Sequence, residues 1–118
     1  ATFAGGSDDD GLGRTLALTD MDGDDLADVV VSAPGSDEGT AGGGAVYLVY
    51  GAASFGGSWA LGTDADATIT GSAASGQLGW DLSTGDDLDG DGIPDLLLGA
   101  WGADGYAGSA WLVPGTGL

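Results

Sequence analysis

An all-β fold made of two copies of one four-stranded unit is what this 118-residue sequence predicts, and three observations predict it. The chain repeats itself: "DMDGDDLADVVVSAP" (Asp20–Pro34) is answered by "DLDGDGIPDLLLGAW" (Asp87–Trp101) at a constant offset of 67 residues. The apolar residues fall in short runs bounded by Asp, Gly and Pro, with no long stripe of helical period. The 26 glycines also disfavour long helices, each costing about 1 kcal/mol relative to alanine in a helix interior. Self-similarity at a fixed period marks a repeat architecture. Propeller blades fit it better than a sandwich, which has no reason to repeat its own sequence.

The elements follow in order. "ATFAG" (Ala1–Gly5) and "ATITG" (Ala67–Gly71) are short alternating strands. "RTLALT" (Arg14–Thr19) and "WDLST" (Trp80–Thr84) open each unit after a Leu-Gly pair, Leu12-Gly13 and Leu78-Gly79. "ADVVVSA" (Ala27–Ala33) and "DLLLGA" (Asp95–Ala100) are continuous apolar runs, the pattern of a strand buried on both faces. "GAVYLVYG" (Gly44–Gly51) and "GSAWLVPG" (Gly108–Gly115) carry β-branched and aromatic residues between glycines. The connector "AASFGGSWALGTDAD" (Ala52–Asp66) has no counterpart. The predicted organisation is two blades of four antiparallel strands. Residues 1–66 hold an outer strand (1–7) and the first blade unit. Residues 67–118 hold the outer strand of the first blade (67–72) and a second unit lacking its own.

Charge narrows the function. There are 19 acidic side chains against the single Arg14, no His and no Cys, for a net charge of −18. Binding to nucleic acid rests on neutralising phosphates with Lys and Arg, so nucleic acid is not expected as a partner. Anionic membrane surfaces are disfavoured for the same reason, and no apolar run approaches the ~20 residues of a membrane span. A disordered acidic chain is also disfavoured, because 42% of residues are hydrophobic and lie in compact runs. No charged segment followed by an apolar one opens the sequence, so any signal peptide is expected to be absent or removed.

The repeated acidic loops need an explanation. Two like charges about 4 Å apart cost roughly 1 kcal/mol in water and about 4 kcal/mol at an effective dielectric near 20. A calcium ion takes six to eight oxygen ligands at about 2.3–2.6 Å. Alternate residues of a tightly wound loop point inward, so positions 1, 3, 5 and 9 supply carboxylates and position 7 a backbone carbonyl. The first set is Asp20, Asp22, Asp24, Asp28 and the carbonyl of Leu26; the second is Asp87, Asp89, Asp91, Asp95 and the carbonyl of Ile93. Two Ca²⁺ per chain are expected. An EF-hand requires an acidic residue at position 12, but Val31 and Leu98 stand there. Solvated acidic turns are the alternative reading, since Asp and Gly are common turn residues. Two copies with all four aspartates in place, each directly before an apolar strand, favour the ion.

These residues resemble the FG-GAP repeat, the blade unit of integrin alpha-subunit propellers and of secreted bacterial proteins. Leu12-Gly13 and Leu78-Gly79 stand at its Phe-Gly, and Ser32-Ala33-Pro34 and Gly99-Ala100-Trp101 at its Gly-Ala-Pro. The resemblance implies a calcium loop between the first and second strands of each blade, where the aspartates lie. It implies an extracellular or cell-surface scaffold for adhesion or ligand recognition, with a protein or glycan partner. Asp25 takes the place of the usual Gly at position 6 of the first loop; Asp tolerates left-handed torsions better than most residues, so a weaker first site is expected. A purely structural fragment of a larger secreted propeller is the alternative function.

An enzyme is not expected. There is no His, Cys or Lys for general-base or nucleophilic chemistry. A carboxylate pair could cut a glycosidic bond, but the repeated aspartates are assigned to calcium. "SDDDG" (Ser7–Gly11) reads as a solvated turn, and Asp37, Glu38 and Asp104 as solvent-facing loop residues. Trp80, Trp101 and Trp111 are expected to pack between blades, and Trp59 is a candidate ligand contact. Two blades do not close a ring, because propellers have four to eight. Ala1–Gly5 of one chain is therefore expected to complete the second blade of its neighbour in a cyclic homo-oligomer. Three chains would give six blades and four would give eight.

Overall fold

A computed structural model describes all 118 residues. Strands β2 (Leu16–Thr19), β3 (Asp28–Ala33), β4 (Ala45–Val49) and β6 (Ala67–Thr70) form a four-stranded antiparallel sheet in the order β2-β3-β4-β6. Strands β7 (Leu78–Thr84), β8 (Leu96–Ala100) and β9 (Ser109–Val113) form a three-stranded antiparallel sheet. The chain is thus mostly β, with its two antiparallel sheets packed like adjacent propeller blades.

Strand alternation sorts the apolar residues onto two faces. Val30, Val46 and Leu48 of the first sheet meet Leu96, Leu98 and Ala100 of the second in the core between blades. Val31, Ala33, Ala45, Tyr47 and Val49 point the other way into a separate core. Both faces of β3 and β4 are therefore covered, which is why those strands read as unbroken apolar runs. The second sheet is covered on one face only: Leu97 and Leu112, paired across β8 and β9, are exposed.

The second core is closed by the connector, which the sequence left unassigned. Strand β5 (Ser58–Ala60) pairs in parallel with β1 (Thr2–Ala4), and a single turn, α1 (Leu61–Asp64), follows it. Leu61 is fully buried against Tyr47 and Val49, and Phe3, Phe55 and Trp59 cluster over them with ring centroids 5.9–6.4 Å apart. The segment Ala1–Gly5, expected as a spare strand, therefore has a partner on one edge within its own chain. Trp59, expected as a ligand contact, is half-buried in this cluster.

Two further expectations need correcting. Trp80 and Trp101 do not pack between blades and are exposed; Trp111 is half-exposed but also lines the gap between β6 and β9. Trp80, Trp101 and Tyr106 instead form a surface ridge with centroid spacings of 5.5 and 5.0 Å, and the Arg14 guanidinium lies 4.2 Å from the Trp80 ring. Asp10 of the "SDDDG" turn is buried and accepts the Ser7 N–H (2.8 Å), because a turn that folds back on itself needs an internal acceptor. Glu38 lies in an exposed loop, as expected, and also accepts a hydrogen bond from the Tyr47 hydroxyl at 2.9 Å; burial, helped by that carboxylate, pushes the Tyr47 phenol up to about 12.

The Leu-Gly pair has a mechanical role. Gly79 sits at φ +82, inside a register shift between β7 and β8. A methyl group there would stand 2.7 Å from Cβ of Ser32 and 2.9 Å from Cγ2 of Val46 across the blade junction. Gly13 has a similar torsion, φ +89, with nothing within 4 Å. Alanine at either position costs about 1–2 kcal/mol in backbone strain. Gly79→Ala adds an overpacking penalty of about 1–3 kcal/mol. Thermal melts of the two variants are expected to show the larger loss for Gly79→Ala; equal losses would mean that the blades yield at this contact.

Candidate metal centres

Each acidic loop joins the first two strands of its sheet, β2 to β3 and β7 to β8. The first-position carboxylate winds the loop. Asp20 accepts from the N–H groups of Gly23 (2.7 Å), Asp24 (3.2 Å) and Asp25 (2.9 Å). Asp87 accepts from Gly90 (2.7 Å), Asp91 (3.1 Å) and Gly92 (2.8 Å). Three donors on one carboxylate favour its charged form. At Asp20, local desolvation pulls the carboxyl pKa upward, but the four backbone donors around it outweigh that and hold it below the usual range. The Gly92 N–H, with those of Gly90 and Asp91, does the same for Asp87 and outweighs the local desolvation.

The ninth-position carboxylate locks the loop to the sheet. Asp28 is fully buried and accepts from Met21 N–H (2.6 Å) at the loop's start and Gly51 N–H (2.6 Å) beyond β4. Asp95 is buried and accepts from Leu88 N–H (2.7 Å), Asp89 N–H (3.3 Å) and Gly115 N–H (3.0 Å). The two networks are alike, although four of the nine loop positions differ. Position 6 has the torsion expected for it: Asp25 at φ +67 and Gly92 at φ +93.

Between these anchors lies a carboxylate with little support. Asp22 and Asp89 are exposed, and each takes one backbone donor at 3.1 Å, from Asp24 and Asp91. Desolvation within the loop pushes both carboxyl groups up, reinforced by Asp24, Asp28 and Asp20 in one case and Asp91, Asp95 and Asp87 in the other. A carboxylate oxygen from each of Asp20, Asp22 and Asp28 lies within 4.8 Å of the others, and so do those of Asp87, Asp89 and Asp95. Oxygens that share one calcium at 2.3–2.6 Å are at most about 5 Å apart, so these triads fit a single hard cation. The fifth-position aspartates do not join the triads. Asp24 and Asp91 accept from the N–H of Leu26 and Ile93, both at 2.8 Å. Those bonds set the backbone at position 7.

Two sheets packed as blades, each with such a loop between its first and second strands, define an FG-GAP repeat protein. The FG-GAP repeat family matches residues 12–49 and 78–113, one segment per blade, and the chain belongs to it. Among curated proteins it is similar to integrin alpha-X of Homo sapiens, with 43% identity over 88 residues. It is also similar to integrin alpha-M of Mus musculus, with 41% identity over 88 residues. Each alignment covers 72% of this chain and 7% of the relative, so the likeness is to a small part of those proteins.

Removing the two kinds of carboxylate should have very different consequences without metal. Asp28→Ala strands two backbone donors in a dry site, at about 1–3 kcal/mol each. Asp22→Ala removes repulsion at an exposed site and should stay within about 0.5 kcal/mol of the parent. Urea unfolding in chelator checks this. Similar losses for both would mean that Asp22 supports the loop in a way its hydrogen bonding does not reveal.

Proposed function

We propose that this chain is a calcium-binding propeller module serving as a scaffold for adhesion or ligand recognition outside the cell or at its surface. One observation carries the reading: two loops, one per blade, hold matching carboxylate triads in matching hydrogen-bond networks. Asp20, Asp22 and Asp28 would hold one ion, and Asp87, Asp89 and Asp95 the other. Asp24, Asp91 and the carbonyl groups of Leu26 and Ile93 complete the two sets. The bound ion supplies the positive charge that lets all the carboxylates stay ionised together. Its role is structural, and no catalytic step is assigned to it. Recognition is supported by the likeness to integrin alpha chains and by the exposed ridge of Trp80, Trp101 and Tyr106. Rigid aromatic faces at a surface are suited to contact a protein or a glycan.

Isothermal titration of decalcified protein is expected to give two Ca²⁺ per chain, and Asp89→Ala to give one. Asp25→Gly should tighten the first site. An ion binding only the folded state stabilises it by about 2.7 kcal/mol at a hundredfold excess over its dissociation constant, so chelator should lower the melting temperature. A melt indifferent to both calcium and chelator would sink the reading.

The same reading extends to assembly. Met21, Val30 and Leu48 of the first blade are buried against the second, while their repeat counterparts Leu88, Leu97 and Leu112 are exposed. Leu82, packed at that junction, has Leu16 as its exposed counterpart on the first blade. We infer that a second copy docks its first blade on this outer face, as the two blades dock within one chain. Strand β1 lies beside the first blade as β6 lies beside the second: a methyl on Gly5 would stand 3.4 Å from Cβ of Leu12, and one on Gly71 3.2 Å from Cβ of Leu78. β1 of that copy then pairs with the open edge of β9, placing Ala4 opposite Ser109. Repetition closes a ring of three or four chains. Light scattering is expected to report that mass and to lose it on deletion of residues 1–6; a well-folded monomer at high concentration would overturn the model.

A further inference from the structure

The core that seats Leu61 on the first blade has an open counterpart on the second. Below Leu61 the walls are Phe3, Leu12, Val31, Ala33, Tyr47 and Val49. Strand register and the repeat carry these six positions, in order, to Ile69, Leu78, Leu98, Ala100, Trp111 and Val113. All six line an apolar cavity of about 150 Å³ between β6 and β9. A cavity of that size with apolar walls accepts a group as large as benzene, so it has room for a leucine side chain.

The neighbouring backbone matches as well. β1 receives β5 on one edge in parallel, with Phe3 opposite Trp59 and the Thr2 N–H donating to Gly57 O at 3.0 Å. β6 is the last strand of its sheet. Its Gly71 N–H turns toward β4, bonding Gly44 O at 2.8 Å. Alternation along an antiparallel strand therefore turns the N–H of Thr68, the counterpart of Thr2, toward the open edge.

We propose that this slot is a peptide-binding site whose occupant is a connector segment of another FG-GAP unit, of the kind Ser58–Leu61 forms beside β1. The segment adds in parallel to the free edge of β6 and bonds the Thr68 N–H. Its tryptophan lies opposite Ile69, and its leucine enters the cavity between Ile69 and Trp111. Main-chain pairing gives affinity and the side-chain pockets give selectivity, the usual division in strand addition. The proposal goes beyond the calcium reading and does not depend on it.

The test uses the full chain, isotope-labelled for NMR, and the synthetic peptide SFGGSWALGTD, which copies residues 54–64. Saturable shifts are expected at the Thr68 amide, the Ile69 methyl groups and the Trp111 indole. A peptide carrying the L61A change should bind at least tenfold more weakly. No saturable change up to millimolar peptide would overturn the proposal, as would equal binding of the L61A peptide. Shifts confined to Phe3 and Tyr47 would overturn it too, because they would mean exchange with the chain's own connector. Titrations in calcium and in chelator keep the two readings apart: loss of calcium binding alone leaves these peptide shifts in place.

Discussion

The structure depends on one buried carboxylate in each blade. Asp28 and Asp95 stand where the acidic loop enters the central strand, and both are removed from water. A buried charge is tolerated only when it is fully hydrogen-bonded. Here the donors come from the start of the loop and from the chain beyond the third strand. The carboxylate therefore fixes three distant pieces of backbone at one point. The seating of the loop on the sheet and the entry of the strand follow from it, while Asp20 and Asp87 wind the loop itself. The ninth position is the keystone of the site rather than merely one ligand among several.

The charge balance makes the surroundings unusual. With 19 acidic side chains and one arginine, carboxylates have almost no protein cations to pair with. Arg14 itself lies over the Trp80 ring. Compensation has to come from backbone N–H groups or from ions in solution. The first-position aspartates take the backbone route so completely that their pKa values fall. The third-position aspartates, with one donor each and charged neighbours, are driven the other way. The two behaviours sit two residues apart in each loop. That contrast separates a carboxylate that the backbone satisfies from one that it leaves among like charges, and composition alone does not reveal it.

Local chemistry was legible in the sequence and long-range pairing was not. The repeat, the strands bearing "DVVVSA" and "LLLGA", the triad residues and the strained torsion at Asp25 all follow from spacing and residue type. The connector did not, because β5 is three residues long, pairs in parallel with a strand more than fifty residues away, and has no repeat partner. The same gap hid the partner of β1 and the burial of Trp59. Trp80 and Trp101 were misassigned because an aromatic beside a strand gives no sign of which side of a blade it occupies. Asp24 and Asp91 show a finer point: one oxygen of each accepts from the backbone N–H two residues on, which spacing alone does not reveal.

Met21 gives the tandem a polarity. It lies inside the first acidic loop but is buried against the second blade, where its sulfur meets the Thr84 hydroxyl at 3.8 Å and its terminal methyl lies close to Gly115. The matching residue in the second loop, Leu88, is exposed. Ordering of the first loop and seating of the second blade are thus coupled through this one side chain. By linkage that coupling is reciprocal: whatever orders the first loop steadies the second blade, and whatever loosens that blade loosens the loop by the same free energy.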